Sequence, residues 1–332
     1  MRITYQELFE TLSRVLLKVG FEERRAALCA RLFSETTLDG VYSHGLNRFP
    51  RFLRMIENGS IDVQAEPELT VSYGSLERWD GCRGPGNLNA YKSMDRAISL
   101  ARTNGTGCVA LSNTNHWMRG GSYGWQAAEA CMIGICWTNT LPNLPPWGAT
   151  DARLGNNPLV IAVPRASGHV VLDMAISQFS FGALESYRER GEQLPVEGGF
   201  DSQGNLTRDP AEIEKSGRVL PVGYWKGSGL SLVLDTMAAL LSGGLATHQI
   251  PTDPERETGI SQVFIAINLS ALDRNGYAER LADQIIESLQ APSKDSVHIR
   301  YPGEKTLQTR KENMERGIPV EEAVWDEVRS LL

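Results

Sequence analysis

The chain has 332 residues, 41% apolar and 22% charged, with a formal net charge of −7 and a pI near 5.4. That length suits one large domain or roughly two to three smaller ones, and the composition is that of an ordinary globular protein. The acidic balance and the lack of any basic run argue against a dedicated nucleic-acid binder, and no apolar stretch approaches the length of about 20 residues that a membrane span needs. Met1 to Glu7 hold no apolar run, so no signal peptide is expected. Cys29, Cys82, Cys108, Cys131 and Cys136 are odd in number and lack CxxC spacing, which reads as reduced thiols of a cytoplasmic protein.

Helices come first. Thr4-x-x-Glu7 reads as a capping box, its hydroxyl and carboxylate satisfying backbone donors at a helix start. Leu8, Leu12, Val15 and Leu16 then fall on one face, with Gly20 as the stop. A second helix is expected from about Glu22 to Thr37, with Ala26, Cys29, Leu32 and Phe33 as its apolar stripe. Pro50 suits the first turn of a third, which carries Phe52, Leu53 and Ile56 and stops at Asn58-Gly59. From Pro67 the pattern changes, and Leu69-Thr70-Val71-Ser72-Tyr73 alternates as a strand does. Further helices are expected from Asn87 to Arg102, Ser122 to Ala130, Leu230 to Leu241 and Tyr277 to Leu289. Strands are expected from Cys108 to Leu111, Ile133 to Thr138, Leu159 to Val163, Val170 to Met174 and Val263 to Asn268. The polar stretch from Gly198 to Gly217 reads as a long surface excursion. The tail from Thr306 to Leu332 should form helices broken near Gly317-Ile318-Pro319. The layout is α/β (α+β): an N-terminal helical domain over 1–74, on which C-terminal helices of 304–332 can pack, and an α/β body over 75–303.

Five histidines occur, and two of them sit among Gly, Ser, Asn and Arg: Tyr42-Ser43-His44-Gly45-Leu46-Asn47-Arg48 and Asn115-His116-Trp117. Histidine passes protons near neutral pH, and the planar fork of Arg48 suits a carboxylate or keto-acid head group. The pairing suggests chemistry on a small oxyanionic substrate. Blander readings stand beside it, with Ser43-His44-Gly45 as a turn or cap and His116 as a satisfied structural histidine, Arg119 being a further polar group in its wall. No HExxH or Cys/His cluster occurs, so no metal is expected, and the G-x-S-x-G elbow of hydrolases is absent.

Gly105-Thr106-Gly107-Cys108-Val109-Ala110 spells G-x-G-x-x-A, but it leaves a helix and enters a strand, the reverse of the dinucleotide fingerprint. It reads as a turn. Gly223 to Gly229, with Lys226 inside, could cradle an anion ahead of a helix or merely tighten the chain there. Asp173, at the end of an apolar strand, could meet a cofactor ribose, orient a histidine, or cap the helix after it. Trp117, Trp125, Trp137 and Trp147 are expected mostly to fill core and interface.

Taken together these segments resemble the malate/L-lactate dehydrogenase family of the second, non-Rossmann type, over essentially the whole chain. The family's Ser-His-Gly-x-x-Arg pattern stands as Ser43-His44-Gly45-Leu46-Asn47-Arg48, and its Asn-His as Asn115-His116. Its Asp-Met-Ala-x-Ser stands as Asp173-Met174-Ala175-Ile176-Ser177, and its Lys-Gly-x-Gly-Leu as Lys226-Gly227-Ser228-Gly229-Leu230. Within the family, the run from Asn115 to Ala128, Gly134 to Asn139, Gln193-Leu194-Pro195-Val196 and Gly223 to Gly229 are most similar to members that reduce a sugar-derived 2-keto acid. The broader family more often carries Phe-Gly after the histidine and Tyr inside the Lys-Gly-x-Gly motif. Here Trp117-Met118 and Ser228 stand instead, which puts malate and lactate in doubt as substrates.

The resemblance implies a malate/L-sulfolactate dehydrogenase-like fold with a mixed, largely antiparallel sheet. It implies a homodimer that holds a nicotinamide cofactor, NADH with NADPH as the alternative, near the subunit interface. It makes His44 the proton donor, His116 a second catalytic group that polarises or orients the substrate, and Ser43 and Arg48 substrate contacts. Cofactor contacts fall on His169, Val170, Val171, Leu172, Asp173, Met174 and Ala175, on Trp225 and Lys226, and on Gly303, Glu304 and Lys305, with Glu304 disfavouring a 2′-phosphate. The expected activity is NADH-dependent reduction of a sugar-derived 2-keto acid in the cytoplasm. Alternatives are another 2-hydroxy acid on the same fold (malate, lactate, ureidoglycolate), a non-redox lyase or isomerase using His44 and His116 as an acid–base pair, or a binding protein without turnover.

Overall fold

The computed structural model of the chain describes residues 1–270, 272, 273, 275–292 and 298–332. After a short strand β1 (Arg2–Ile3) come α1 (Tyr5–Lys18), α2 (Glu23–Leu38) and α3 (Phe49–Glu57), as the periodicity predicts. The Thr4 hydroxyl accepts from the Glu7 N–H at 3.1 Å, which is the hydroxyl half of the expected box. Glu22 caps α2 by accepting from the N–H groups of Arg24 and Arg25. The apolar faces meet in one core of Leu8, Leu12, Val15, Leu16, Ala26, Cys29, Phe33 and Phe52.

The body follows as β2 (Glu68–Tyr73), β3 (Leu76–Asp80), α4 (Gly86–Asn104), β4 (Thr106–Asn115), α5 (Gly121–Glu129) and β5 (Met132–Thr138). Next come β6 (Pro142–Leu144), β7 (Leu154–Gly155), β8 (Leu159–Val163), β9 (Val170–Met174) and α6 (Phe181–Glu189). Then follow β10 (Gly199–Phe200), β11 (Leu206–Thr207), α7 (Pro210–Ser216), α8 (Trp225–Ser242), β12 (Thr258–Asn268) and α9 (Tyr277–Leu289). The chain closes with α10 (Glu304–Arg316), β13 (Ile318–Pro319) and α11 (Glu322–Ser330). Among the described residues no helix is long and apolar enough to cross a membrane, and all five cysteines are free.

Seven strands form one sheet in the order β2-β3-β4-β12-β5-β8-β9. Only β3 and β4 pair in parallel; every other neighbour is antiparallel. The sheet is therefore mixed and largely antiparallel, with β12 at its centre. One face packs on α4 and α5 through Met94, Ala97, Tyr123, Trp125 and Phe264. The other packs on α6, α7 and α8 through Trp137, Val263, Leu184, Ile213, Leu234 and Ala238. Burial on both faces explains why β5, β8 and β12 read as apolar runs rather than alternating ones. Gly105 ends α4 at φ +81 and the chain enters β4 at once, so the G-x-G-x-x-A letters are a turn.

Two expectations are corrected, and two features of the first sheet strands were not foreseen. The stretch from Gly198 to Gly217 is not a loose excursion: β10 and β11 pair, Asp209 caps α7, and Ile213 is fully buried. Helix α8 begins at Trp225, five residues before the expected Leu230, because Tyr224 takes the turn at φ +61. Gly227 then packs its Cα against the Val222 backbone, where a Cβ would lie 2.8 Å from Val222 N. Strand β2 alternates in sequence yet is exposed along its whole length, because it is the sheet edge and no layer covers it. Strand β3 escaped notice because Glu77, Arg78 and Asp80 disguise it; the buried Glu77 carboxylate is neutralised by Arg96 at 2.6 Å.

The C-terminal helices complete the first core, where Ile318, Val320, Trp325 and Val328 pack with the α1–α3 residues. β1 pairs with β13 and ties the two chain ends together. Trp325 is fully buried, although its indole N–H finds no acceptor. Trp325→Ala should cost about 3–5 kcal/mol in urea unfolding, whereas Trp325→Phe, which keeps the ring and removes the unpaired donor, should cost under about 1.5 kcal/mol. Equal losses for the two would contradict this packing.

Candidate active site

His44 lies on a pair of short helical turns, Tyr42–His44 and Leu46–Arg48, between α2 and α3. Gly45 makes that loop possible. A Cβ there would stand 2.9 Å from Thr37 N, and the Thr37 hydroxyl accepts from the Leu46 N–H at 2.9 Å. Glycine thus lets the loop press against α2, which aims His44 across the cleft at His116. The two rings stack with centroids 5.9 Å apart and planes 26° off parallel.

Each imidazole has one side already engaged. Ser43 Oγ lies 3.0 Å from His44 Nδ1. A hydroxyl can donate to the neutral ring and accept from the protonated one, so this contact survives proton transfer. His116 Nδ1 accepts from the Met118 N–H at 3.1 Å, which leaves the proton of the neutral ring on Nε2. A Cβ on Gly182 would fall 2.9 Å from Ser43 Oγ, so the start of α6 closes against this loop. Among the described residues the Arg48 guanidinium has neither an ion-pair partner nor a side-chain hydrogen bond, although it is half-buried.

The electrostatics follow from that composition. Burial, then Arg48, then Arg119 push His44 down to about 4. Burial, then Arg48 and His44, hold His116 well below its ordinary value. Burial, then Arg51, bring Arg48 down to about 10, opposed at a distance by Glu257 and Glu255. Positive charge and proton carriers gather here, and among the described residues no carboxylate lies within ion-pair distance of His44 or Arg48. Such a place favours an anion and gives up a proton readily once one is supplied.

The three segments with suspected cofactor contacts are joined along β9. Its alternation turns His169, Val171 and Asp173 toward α5, where His169 packs 5.6 Å from Trp125 and Val171 enters the α4–α5 core. Met174 goes to the opposite core. At one end the Val171 N–H donates to Pro302 O at 2.9 Å, and a Cβ on Gly303, at φ +98, would stand 3.1 Å from His169 O. The Glu304 carboxylate accepts from Gln290 Nε2 at 3.1 Å and from the Tyr301 N–H at 3.2 Å, with His298 Nε2 at 3.1 Å; Lys305 is exposed. At the other end the Val222 N–H donates to Ile176 O at 2.8 Å, which ties the start of α8, with its exposed Trp225 and Lys226, to the strand's continuation.

Asp173 caps a helix, but not the one after it. Its Oδ2 accepts from the Gly121 N–H, at the start of α5, at 2.8 Å, while α6 is capped by Ser180. Burial raises its carboxyl above the ordinary range, and Arg119 and the Gly121 N–H oppose that. Asp173 nonetheless keeps part of its surface exposed. Helix α8 starts with no side-chain cap, so the unpaired N–H groups and positive dipole end of its first turn suit phosphate oxygens. A carboxylate and an uncapped helix start along one strand fit a dinucleotide. Among the described residues no group of three His, Cys, Asp or Glu side chains converges as a metal site would require.

The sequence reading left out Asp39 and Arg310. The Asp39 carboxylate receives Arg119 at 2.5 Å and Arg310 at 2.6 Å, an arrangement drawn from three distant segments that no local pattern announces. Trp117, Trp125 and Trp137 are buried, as expected of core, and Trp147 is exposed beside Tyr224.

Comparison with known proteins agrees with this geometry. The family model for malate/L-lactate dehydrogenase matches residues 3–329. The chain is 48% identical to the 2,3-diketo-L-gulonate reductases of Citrobacter koseri and Escherichia coli O127:H6, over 100% of each chain. Among solved structures it is similar to the sulfolactate dehydrogenase of Methanocaldococcus jannaschii, at TM-score 0.92 and 27% identity over 100% of this chain and 96% of that one. The malate dehydrogenase of Pyrococcus horikoshii matches at TM-score 0.90 and 30% identity, over 100% and 94%. The chain is an oxidoreductase and belongs to the malate/L-lactate dehydrogenase family.

Proposed function

We propose that the chain reduces 2,3-diketo-L-gulonate to 3-dehydro-L-gulonate with NADH, His44 giving the proton. The observation that carries this is the stacked His44–His116 pair beside an unpaired Arg48, in a chain 48% identical at full length to reductases bearing that name. The nicotinamide, when bound, supplies the hydride. The substrate carboxylate pairs with Arg48 by charge-assisted hydrogen bonds worth about 1.5–3 kcal/mol each. That added negative charge offsets the cationic field that keeps His44 neutral, so the ring takes up a proton. As charge gathers on the carbonyl oxygen, His44 donates from Nε2, and Ser43 goes on accepting from the Nδ1–H that remains. The His116 Nε2–H supplies a second donor that polarises the keto group.

On the same reading, Asp173 and the residues of β9, with Gly303, Glu304 and Lys305 beyond its other end, would hold the nicotinamide cofactor. The carboxylate of Glu304 there would repel a 2′-phosphate, which supports NADH over NADPH. Exposed Leu232, Val233, Met237 and Leu240 along α8 leave an apolar face uncovered, which supports a homodimer. Free thiols support a cytoplasmic enzyme. The second reading, another 2-hydroxy acid as substrate, draws on the malate and sulfolactate dehydrogenases that share the fold.

NADH oxidation should proceed with 2,3-diketo-L-gulonate in preference to pyruvate and oxaloacetate, and His44→Gln should lower kcat by about 100-fold or more. Faster turnover of pyruvate or oxaloacetate would hand the case to the second reading. No NADH binding and no oxidation with any of the three would rule out both. The pH dependence separates free enzyme from complex. Reduction needs protonated His44, whose free-enzyme value is about 4, so kcat/KM should fall about tenfold per pH unit on the neutral side while kcat stays level. A kcat/KM that is flat between about pH 5 and 7 would contradict the assignment of His44.

A further inference from the structure

Arg119 lies in the loop between β4 and α5, 6% exposed, with Nη1 on Asp39 Oδ2 at 2.5 Å. Arg310 of α10 meets the same carboxylate through Nε at 2.6 Å and Nη2 at 2.8 Å. It also stacks 4.9 Å over Trp125, the neighbour of His169. Two guanidinium groups share one buried carboxylate, with Glu35 and Glu129 also acting on Arg310, and Asp173 lies on the far side of Arg119. Arg119 Nε has no hydrogen-bond partner. It and Asp173 Oδ2 both lie within 3.2 Å of the point where a Cβ on Gly121 would stand. The Asp173 carboxylate is therefore held by the first N–H of α5 on one side and faces Arg119 across Gly121 on the other.

The anchor of Arg119 reaches the proton donor as well. Asp39 ends α2 two residues after Thr37, the residue that seats Gly45 and accepts from Leu46. A short path of contacts thus runs from Asp173 through Gly121, Arg119, Asp39 and Thr37 to the His44 loop. We propose that Arg119 is a positioning residue: braced on Asp39, it keeps the Asp173 carboxylate aimed, and holds the cofactor strand and the His44 loop in one frame. This rests on the dehydrogenase reading of His44 and Asp173. The Arg119 guanidinium touches neither reacting atom; it acts through Asp173 and the field at His44.

The charged and titratable groups facing His44 are Arg48, His116 and Arg119, with Arg51, Glu255 and Glu257 acting further out on Arg48. Changing Arg119 or Asp39 leaves all the others in place, so the two substitutions make opposite electrostatic demands. In full-length protein, Arg119→Gln removes a cation and should raise the His44 imidazole titration seen by NMR. Asp39→Asn removes an anion and should lower it further. Both should raise KM for NADH, with kcat/KM falling about 100-fold in Arg119→Gln and recovering at least in part in Arg119→Lys. A purely structural role would disturb thermal stability in both and move the His44 titration in the same direction, or not at all. That result, or wild-type NADH kinetics in a folded Arg119→Gln, would overturn the proposal. Should Arg119→Gln fail to fold, the downward shift in Asp39→Asn still decides. The titration requires no substrate, so a wild type that oxidises no NADH would sink the dehydrogenase reading separately.

Discussion

A guanidinium and two imidazoles share one cleft, and among the described residues no carboxylate lies within ion-pair distance of Arg48 or His44. Solvent is partly excluded and like charges face one another, so the rings stay neutral and Arg48 stays unanswered. Such a cluster is costly in itself, and it becomes favourable when an anion enters. On the proposed function, the carboxylate of a 2-keto acid would supply that charge, and the proton it draws onto His44 would be the one a ketone needs as hydride arrives. Binding and proton supply would then be one event, which ties the proposed chemistry to acids rather than to neutral ketones.

The scaffold is arranged around keeping this cluster in register. The Thr37 hydroxyl and the absent side chain of Gly45 seat the His44 loop on α2. The Asp39 carboxylate, two residues further, binds Arg119 from the sheet layer and Arg310 from the C-terminal helix. The N-terminal helices, the β4–α5 wall and the tail therefore meet at one buried anion. Removing one partner of such a group leaves an uncompensated buried charge, a far larger penalty than the net worth of the pair. Burial of Trp325, Val328 and Ile318 in the same core adds the apolar counterpart of that clasp.

The sequence was most legible where a single element carries its own signal. The apolar stripes of α1, α2 and α9, and the short apolar runs of β8 and β9, were readable because burial repeats with the local period. The site was readable in part because Ser43-His44-Gly45 and Asn115-His116 place chemistry-bearing residues among glycines and amides, where core packing has no use for them. What stayed hidden depends on distant partners. Strand β3 carries no apolar pattern of its own, because its Glu77 is satisfied by distant Arg96 and its Asp80 by the Cys82 N–H. Asp173 looked like the cap of the following helix, yet it caps α5, whose start reaches it only through the packing of β9. The polar stretch around Ile213 looked loose because one buried side chain in a hydrophilic run gives no periodicity to find.

The central claim is that an anionic substrate brings the proton to His44. Calorimetry tests it most directly, with a 2-keto acid titrated into the NAD⁺-bound protein, where no hydride can transfer, in buffers of different ionisation enthalpy. The account predicts uptake of about one proton per bound keto acid near neutral pH, lost in His44→Gln. Binding heats that are the same in every buffer, with affinity intact, would mean that His44 takes up no proton and would contradict it.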